Sequence, residues 1–153
     1  PEVYLDENNR RMLTNFRYTF ASLANALLEE GKKDSALNVL EYCMELMPHD
    51  RVSYNAAIIP LIQIYYNMDE SEKANTMVTE YSEMLDQELS YYEDLMDANL
   101  ERFSLSMGDY QLAGRNLMTL YSLASNFKQQ ETANAVMEKI GNHEMGFPNM
   151  FNQ

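Results

Sequence analysis

The residues of this chain best suited to chemistry are its carboxylates and its two histidines. Glu93, Asp97 and Glu101 recur at four-residue spacing, with Asp94 beside the first. On a helix that spacing gathers them on one face. Paired carboxylates divide acid and base roles only where a concave, partly dry site pushes their pKa values apart. Otherwise such a run is a solvated acidic face whose like charges cost roughly a few tenths of a kcal/mol per pair, and that reading is adopted here. His49 and His143 have no helical partner at HExxH spacing, and no EF-hand pattern occurs. His143, beside Glu144, is expected to be a solvated tail residue. Cys43 lies in the apolar run Leu40 to Met47 and reads as a small buried hydrophobe. As the single cysteine it forms no internal disulfide and carries no information about compartment. No Ser or Cys sits in a nucleophile elbow, and no Gly-rich phosphate loop is present. The expectation is therefore no catalytic residue, no metal ligand and no cofactor.

Bulk properties narrow the choice of partner. The net charge of −13 and the scattering of only 11 basic residues argue against nucleic acid and anionic membrane surfaces, which both require clustered Lys and Arg. The longest apolar stretch, Ala56 to Ile64, falls short of the roughly 20 residues of a membrane span. With 153 residues and a 46% hydrophobic fraction, the chain suits one self-sufficient core. It opens at Pro1 with no initiator Met or signal pattern, which is read as a piece of a longer or processed protein.

Any such chemistry must be positioned by helices. β-Branched residues are sparse, and apolar residues recur with the helical period. Seven helices are expected, near Asn8–Glu30, Lys33–Met47, Arg51–Asn67, Glu70–Asp86, Glu88–Met107, Tyr110–Ser125 and Lys128–Ile140. Gly31, Gly108 and Gly141 act as stops, and Pro48 follows the second helix. Pro60 should kink the third helix or delay its start. The domain is expected over 1–141, with a tail over 142–153.

A repeat runs through these helices. Ala36, Leu40, Cys43 and Met47 share their spacing with Ala74, Val78, Tyr81 and Leu85, and with Ala113, Leu117, Leu120 and Ala124. Five residues before each leading Ala stands an expected turn residue: Gly31, Asp69 and Gly108. The preceding helices carry Phe16, Phe20, Leu23, Ala24 and Leu27 in the first case, and Ile58, Leu61, Ile62 and Tyr65 in the second. This pattern resembles the tetratricopeptide repeat, most closely at Phe20, Leu23, Ala24, Leu27, Gly31, Ala36, Leu40, Cys43 and Pro48. The resemblance implies an all-α fold, a right-handed α-α superhelix of about three helix pairs with a C-terminal capping helix. Glu101 stands where the third unit should have a small residue, and a one-residue slip would put Leu100 there. A generic helical bundle is the competing architecture.

The run Asn15 to Pro48, with the lead-in Val3 to Asn8 and, more weakly, Tyr54 to Tyr66, is also similar to the C-terminal soluble segment of a family of multi-span membrane proteins of Bacteroidetes-type bacteria. That family carries a domain of unknown function and is related to protein O-mannosyltransferase-like glycosyltransferases. The resemblance implies a domain tethered at the extracytoplasmic (periplasmic) side of the inner membrane; without it, a cytoplasmic location is expected. No glycosyltransferase residue falls within the matching positions.

In tetratricopeptide proteins the first helix of each pair lines a concave groove. By that resemblance Asn25, Gln63 and Arg102 fall in register, flanked by Tyr18, Ile59, Tyr66 and Asn67. Carboxamides suit an extended backbone, and Arg102 suits a carboxylate; the slip would exchange Arg102 for Glu101 and reverse the preferred ligand charge. Ordinary polar exposure is the alternative for all of them. The expected function is non-catalytic docking of a peptide or protein segment, including the chain's own membrane portion, with no insertion of this chain into the membrane. Two alternatives stand beside it: an accessory domain assisting a membrane glycosyltransferase in acceptor recognition, and a purely structural domain packing on its membrane portion or on itself.

Overall fold

The structure is a computed structural model that describes residues 7–143; of the tail expected over 142–153, residues 144–153 lie outside the described residues. The described residues form six α-helices and no strand: α1 Glu7–Glu29, α2 Lys33–Leu46, α3 Ile58–Asn67, α4 Ser71–Ala98, α5 Leu100–Asn126 and α6 Gln130–Gly141. The chain divides after Ala74, within the first turn of α4, into two compact units.

Three of the connections close in the same way. Gly31, Asp69 and Lys128 adopt left-handed φ values of 75°, 65° and 59°. The amide of the next residue then reaches back five positions, from Lys32 to Leu27 O (2.9 Å), Glu70 to Tyr65 O (3.0 Å) and Gln129 to Ala124 O (2.9 Å). The left-handed residue itself donates to the carbonyl three positions back, at Leu28, Tyr66 and Ser125. Together these bonds are the Schellman motif, which satisfies carbonyls left unpaired at a helix end. Five residues beyond each turn a fully buried alanine opens the second helix: Ala36, Ala74 and Ala133. The same closing geometry thus joins α1 to α2, α3 to α4 and α5 to α6, and α1–α2 and α5–α6 each pack as a helix–turn–helix hairpin.

The third turn corrects the sequence reading. Gly108 does not end a helix; it lies inside α5 with open space around its Cβ position. A single glycine costs a helix only about 1 kcal/mol, and the packing of its neighbours outweighs that. Phe103 and Tyr110, on either side, stack edge to face with centroids 5.6 Å apart. The true break is at Asn99, whose extended backbone and side chain, accepting from the Arg102 amide at 2.9 Å, cap α5. The expected fourth, fifth and sixth helices are therefore two long ones, α4 and α5. What was expected to be a lone capping helix, α6, is the second arm of the α5–α6 hairpin. Pro60 delays the start of α3 and does not kink it: it occupies the third helical position, where its missing N–H is no loss.

All twelve positions of the three spaced quartets are buried, although Ala113 follows no turn. In the first unit α1 packs against α2 and α3. The buried stripe of α1 contains Arg17, Ala21 and Ala24 at offsets 0, +4 and +7. Arg17 is only 1% exposed. Its guanidinium donates to three backbone carbonyls of the segment between α2 and α3: Ser53 (2.9 Å), Met47 (3.3 Å) and Val52 (2.6 Å). It also lies 5.6 Å from the centre of the Tyr54 ring. Asn55 extends the clamp, donating to Thr14 Oγ1 of α1 (2.7 Å) and accepting from the Ala57 amide (3.0 Å) just before α3. Next to this cluster, burial pushes the Cys43 thiol up to about 11, partly opposed by the Arg17 charge. Cys43 is thus an inert core residue.

In the second unit α4 and α5 run antiparallel around Asn99. Asn116 donates to Tyr81 Oη (3.1 Å) and the Tyr110 hydroxyl to Glu93 (3.2 Å). Helix α6 runs alongside α4, with Asn75 donating to Gln129 (2.9 Å) at one end.

Two outcomes follow from these packings. Arg17→Met keeps the bulk but strips three backbone carbonyls, one buried and two part-buried, of their donor. It should lower unfolding free energy by about 3 kcal/mol in denaturant titration. Gly108→Ala adds a methyl into open space on a helical backbone and should raise stability by about 0.5–1 kcal/mol in the same assay.

Candidate functional site

The clamp that fixes α3 on α1 leaves a groove between these helices. Its cavity of about 310 Å³ is lined by Tyr18, Ala21, Ser22 and Asn25 from α1, and by Pro60, Gln63, Ile64 and Asn67 from α3. The helical period explains the set. Tyr18, Ala21, Ser22 and Asn25 follow i, +3, +4 and +7, and Pro60, Gln63, Ile64 and Asn67 repeat that spacing. Each helix thereby presents one stripe to the cleft. Small or ring-closed residues, Ala21 and Pro60, and the buried Ile64 make the floor; Tyr18, Ser22, Asn25, Gln63 and Asn67 are exposed on the walls.

Four of the expected groove residues, Tyr18, Asn25, Gln63 and Asn67, share this cavity. The other three do not line it. Ile59 is half-buried one position away from the stripe. Tyr66 is buried, and burial raises its hydroxyl to about 12, so it is a neutral core phenol. Arg102 lies in the second unit, and its register rested on a turn at Gly108 that does not exist. Asn25 and Gln63 each stand six residues before a left-handed turn residue; the position that does so before Lys128 is Ser122. Glu101 has no place in that register either.

The lining contains no formal charge, and Tyr18 is its one titratable group. Two donor groups are already oriented. The Ser22 hydroxyl donates to Tyr18 O (2.9 Å), and Asn25 Nδ2 donates to Glu29 Oε1 (2.7 Å) at the rim. A cleft of this kind can hydrogen-bond a neutral polar ligand over an apolar floor.

The acidic residues that looked most chemical are elsewhere and are arranged otherwise. The Glu93, Asp97 and Glu101 run does not share one helix face, because α4 ends at Ala98 and Glu101 belongs to the first turn of α5. Asp97 and Glu101 are exposed, but Glu93 is drawn into a network. His143, expected as a solvated tail residue, has a side chain only 2% exposed. Its Nδ1 lies 3.0 Å from Glu93 Oε2 and its Nε2 2.9 Å from Asp86 Oδ1. The sequence signal for this was weak: Asp86 and Glu93 are seven apart, two turns of one helix face, while His143 follows a glycine expected to end the structured region. The carboxylates flank opposite edges of the ring and do not converge on one point. Among the described residues no group of three such side chains is arranged to hold a metal ion. His143 thus latches the end of α6 to α4.

Compared with protein-family models, curated proteins and solved structures, the chain matches none.

Proposed function

We propose that this chain is a non-catalytic docking module whose α1–α3 groove receives an extended, uncharged peptide segment. The observation that carries the reading is the meeting of Asn25 and Gln63, from separate helices, with Tyr18 and Asn67 over a floor of Ala21, Pro60 and Ile64. Side-chain amides offer both a donor and an acceptor, which is what a peptide backbone presents in return. The neutral lining favours backbone and shape over a terminal carboxylate. Three turns with one closing geometry, and the packed pairs α1–α2 and α5–α6, support a tetratricopeptide-like superhelix as the scaffold. Peptides selected against the wild-type chain from a random extended library should bind Asn25→Ala/Gln63→Ala at least about tenfold more weakly, with unchanged circular dichroism. Equal binding to both proteins would remove the groove from the function.

A second reading rests on the likeness of Asn15–Pro48, which spans most of α1, all of α2 and the start of the Arg17-held connection. In it the module is the extracytoplasmic C-terminal part of a larger membrane protein and helps a protein O-mannosyltransferase-like glycosyltransferase recognise its acceptor. Among the described residues no helix is long and apolar enough to cross a membrane, so the spans would be supplied upstream. The reading predicts an open reading frame with hundreds of codons, including many apolar spans, before Pro1. Sequencing the gene decides it, and a short frame without spans rules it out.

A further inference from the structure

The two walls of the groove are not equivalent. Asn25 and Glu29 stand six and two residues before the left-handed Gly31, and Gln63 and Asn67 hold the same places before Asp69. On α3 both residues line the cavity, and among the described residues neither carboxamide is hydrogen-bonded. On α1 the pair is closed on itself: Asn25 Nδ2 donates to Glu29 Oε1 at 2.7 Å, and Glu29 stays outside the lining. This contact fixes the amide, since the flipped carboxamide would set its oxygen against a carboxylate. Asn25 Oδ1 is then the atom left to accept. About one turn earlier the Ser22 hydroxyl gives its only proton to Tyr18 O (2.9 Å), so its oxygen too is left as an acceptor. Helix stability does not call for a carboxylate at Glu29. It is the exposed last residue of α1, where the helix dipole disfavours negative charge. Its neighbour Glu30 is matched by Lys32 at 2.6 Å, but among the described residues Glu29 makes no ion pair.

We propose that Glu29 is a positioning residue for the groove: it holds Asn25 as an acceptor for a backbone N–H of the docked peptide. With Ser22 beside it, α1 becomes the wall that accepts hydrogen bonds, while Gln63 and Asn67 of α3 remain able to donate to peptide carbonyls. This role rests on the peptide-docking reading above and narrows it to segments with a free amide N–H toward α1. A proline at that place has no N–H to give and is excluded.

The test uses the full chain and the tightest peptide selected against it from the extended library, with binding read by fluorescence anisotropy. Glu29→Ala should weaken binding about three- to tenfold. Glu29→Gln, whose side-chain oxygen can still accept from Asn25, should stay within about twofold of wild type. The thermal midpoint should not fall in either variant, because a charge unfavourable to the helix end has gone; a residue that served only the fold would lower it. In an Asn25→Ala background Glu29→Ala should have no further effect. Methylating the peptide nitrogens one at a time should find a position that costs about tenfold against wild type and less than about twofold against Asn25→Ala. Wild-type affinity in Glu29→Ala overturns the proposal. So does an equal loss in Glu29→Gln, a loss that persists without Asn25, or a methyl scan with no position coupled to Asn25. If Asn25→Ala/Gln63→Ala also binds fully, or no peptide is selected at all, the groove reading falls with it; if that pair loses binding, this inference falls alone.

Discussion

Helix α3 lies where it does because a guanidinium withdrawn from water takes its acceptors from the segment that leads into that helix. Arg17 donates to the carbonyls of Met47, Val52 and Ser53, which lie at and beyond the C-terminal end of α2, where carbonyls otherwise have no intrahelical partner. A buried cation is costly unless its hydrogen bonds are met, and an arginine can meet several in a plane where a lysine cannot. The same connection is tied to α1 a second time through Asn55 and Thr14. The distance between α1 and α3, and therefore the width of the cleft between Tyr18 and Gln63, is inherited from these contacts. The groove residues supply the lining, while the polar cluster beneath them determines that there is a groove.

Much of this architecture was readable because helices bury residues by period. Ala36, Ala74 and Ala113 with their followers were legible as core positions, and each is buried. What misled was the identity of the turn residues. A left-handed residue is cheapest as glycine, so Gly31 announced its turn. Asp69 could be read from the break in period around it. Lys128 could not, because a β-carbon in that conformation is disfavoured by roughly 1–2 kcal/mol and no sequence rule proposes lysine for it. Gly108 offered the cheaper alternative at a spacing that imitated the first hairpin, but the hydrogen bonds of α5 pass through it. A glycine permits a turn without requiring one. The choice was made by aromatic packing of Tyr92, Phe103 and Tyr110 across α4 and α5, a tertiary effect that local spacing does not contain.

The site was legible to the same degree and failed for the same reason. Tyr18, Asn25, Gln63 and Asn67 were found by counting back from two turns correctly placed; Arg102 was found by counting back from one that is absent. Arg17 had a readable signal that went unused: an arginine at the head of the stripe Arg17, Ala21, Ala24 must be buried with partners or break the stripe. His143 had almost none, since the carboxylates that receive it lie 50 and 57 residues earlier in the chain.

The distribution of charge ties these parts together. The chain carries 24 acidic and 11 basic residues, yet the α1 wall of the groove and the exposed apolar residues Met12, Phe16 and Leu23 on another side of α1 carry no charge, and the one charge between Met12 and Leu28 is spent inside the molecule on backbone carbonyls. A helix surface that is polar on one side and apolar on another, with no ion on either, cannot attract a ligand from a distance. It can only discriminate at contact, by hydrogen bonds over one face and by shape over the other. Arg17 makes this division possible, because an exposed arginine at that position would have placed a cation on the helix that has been kept free of surface charge.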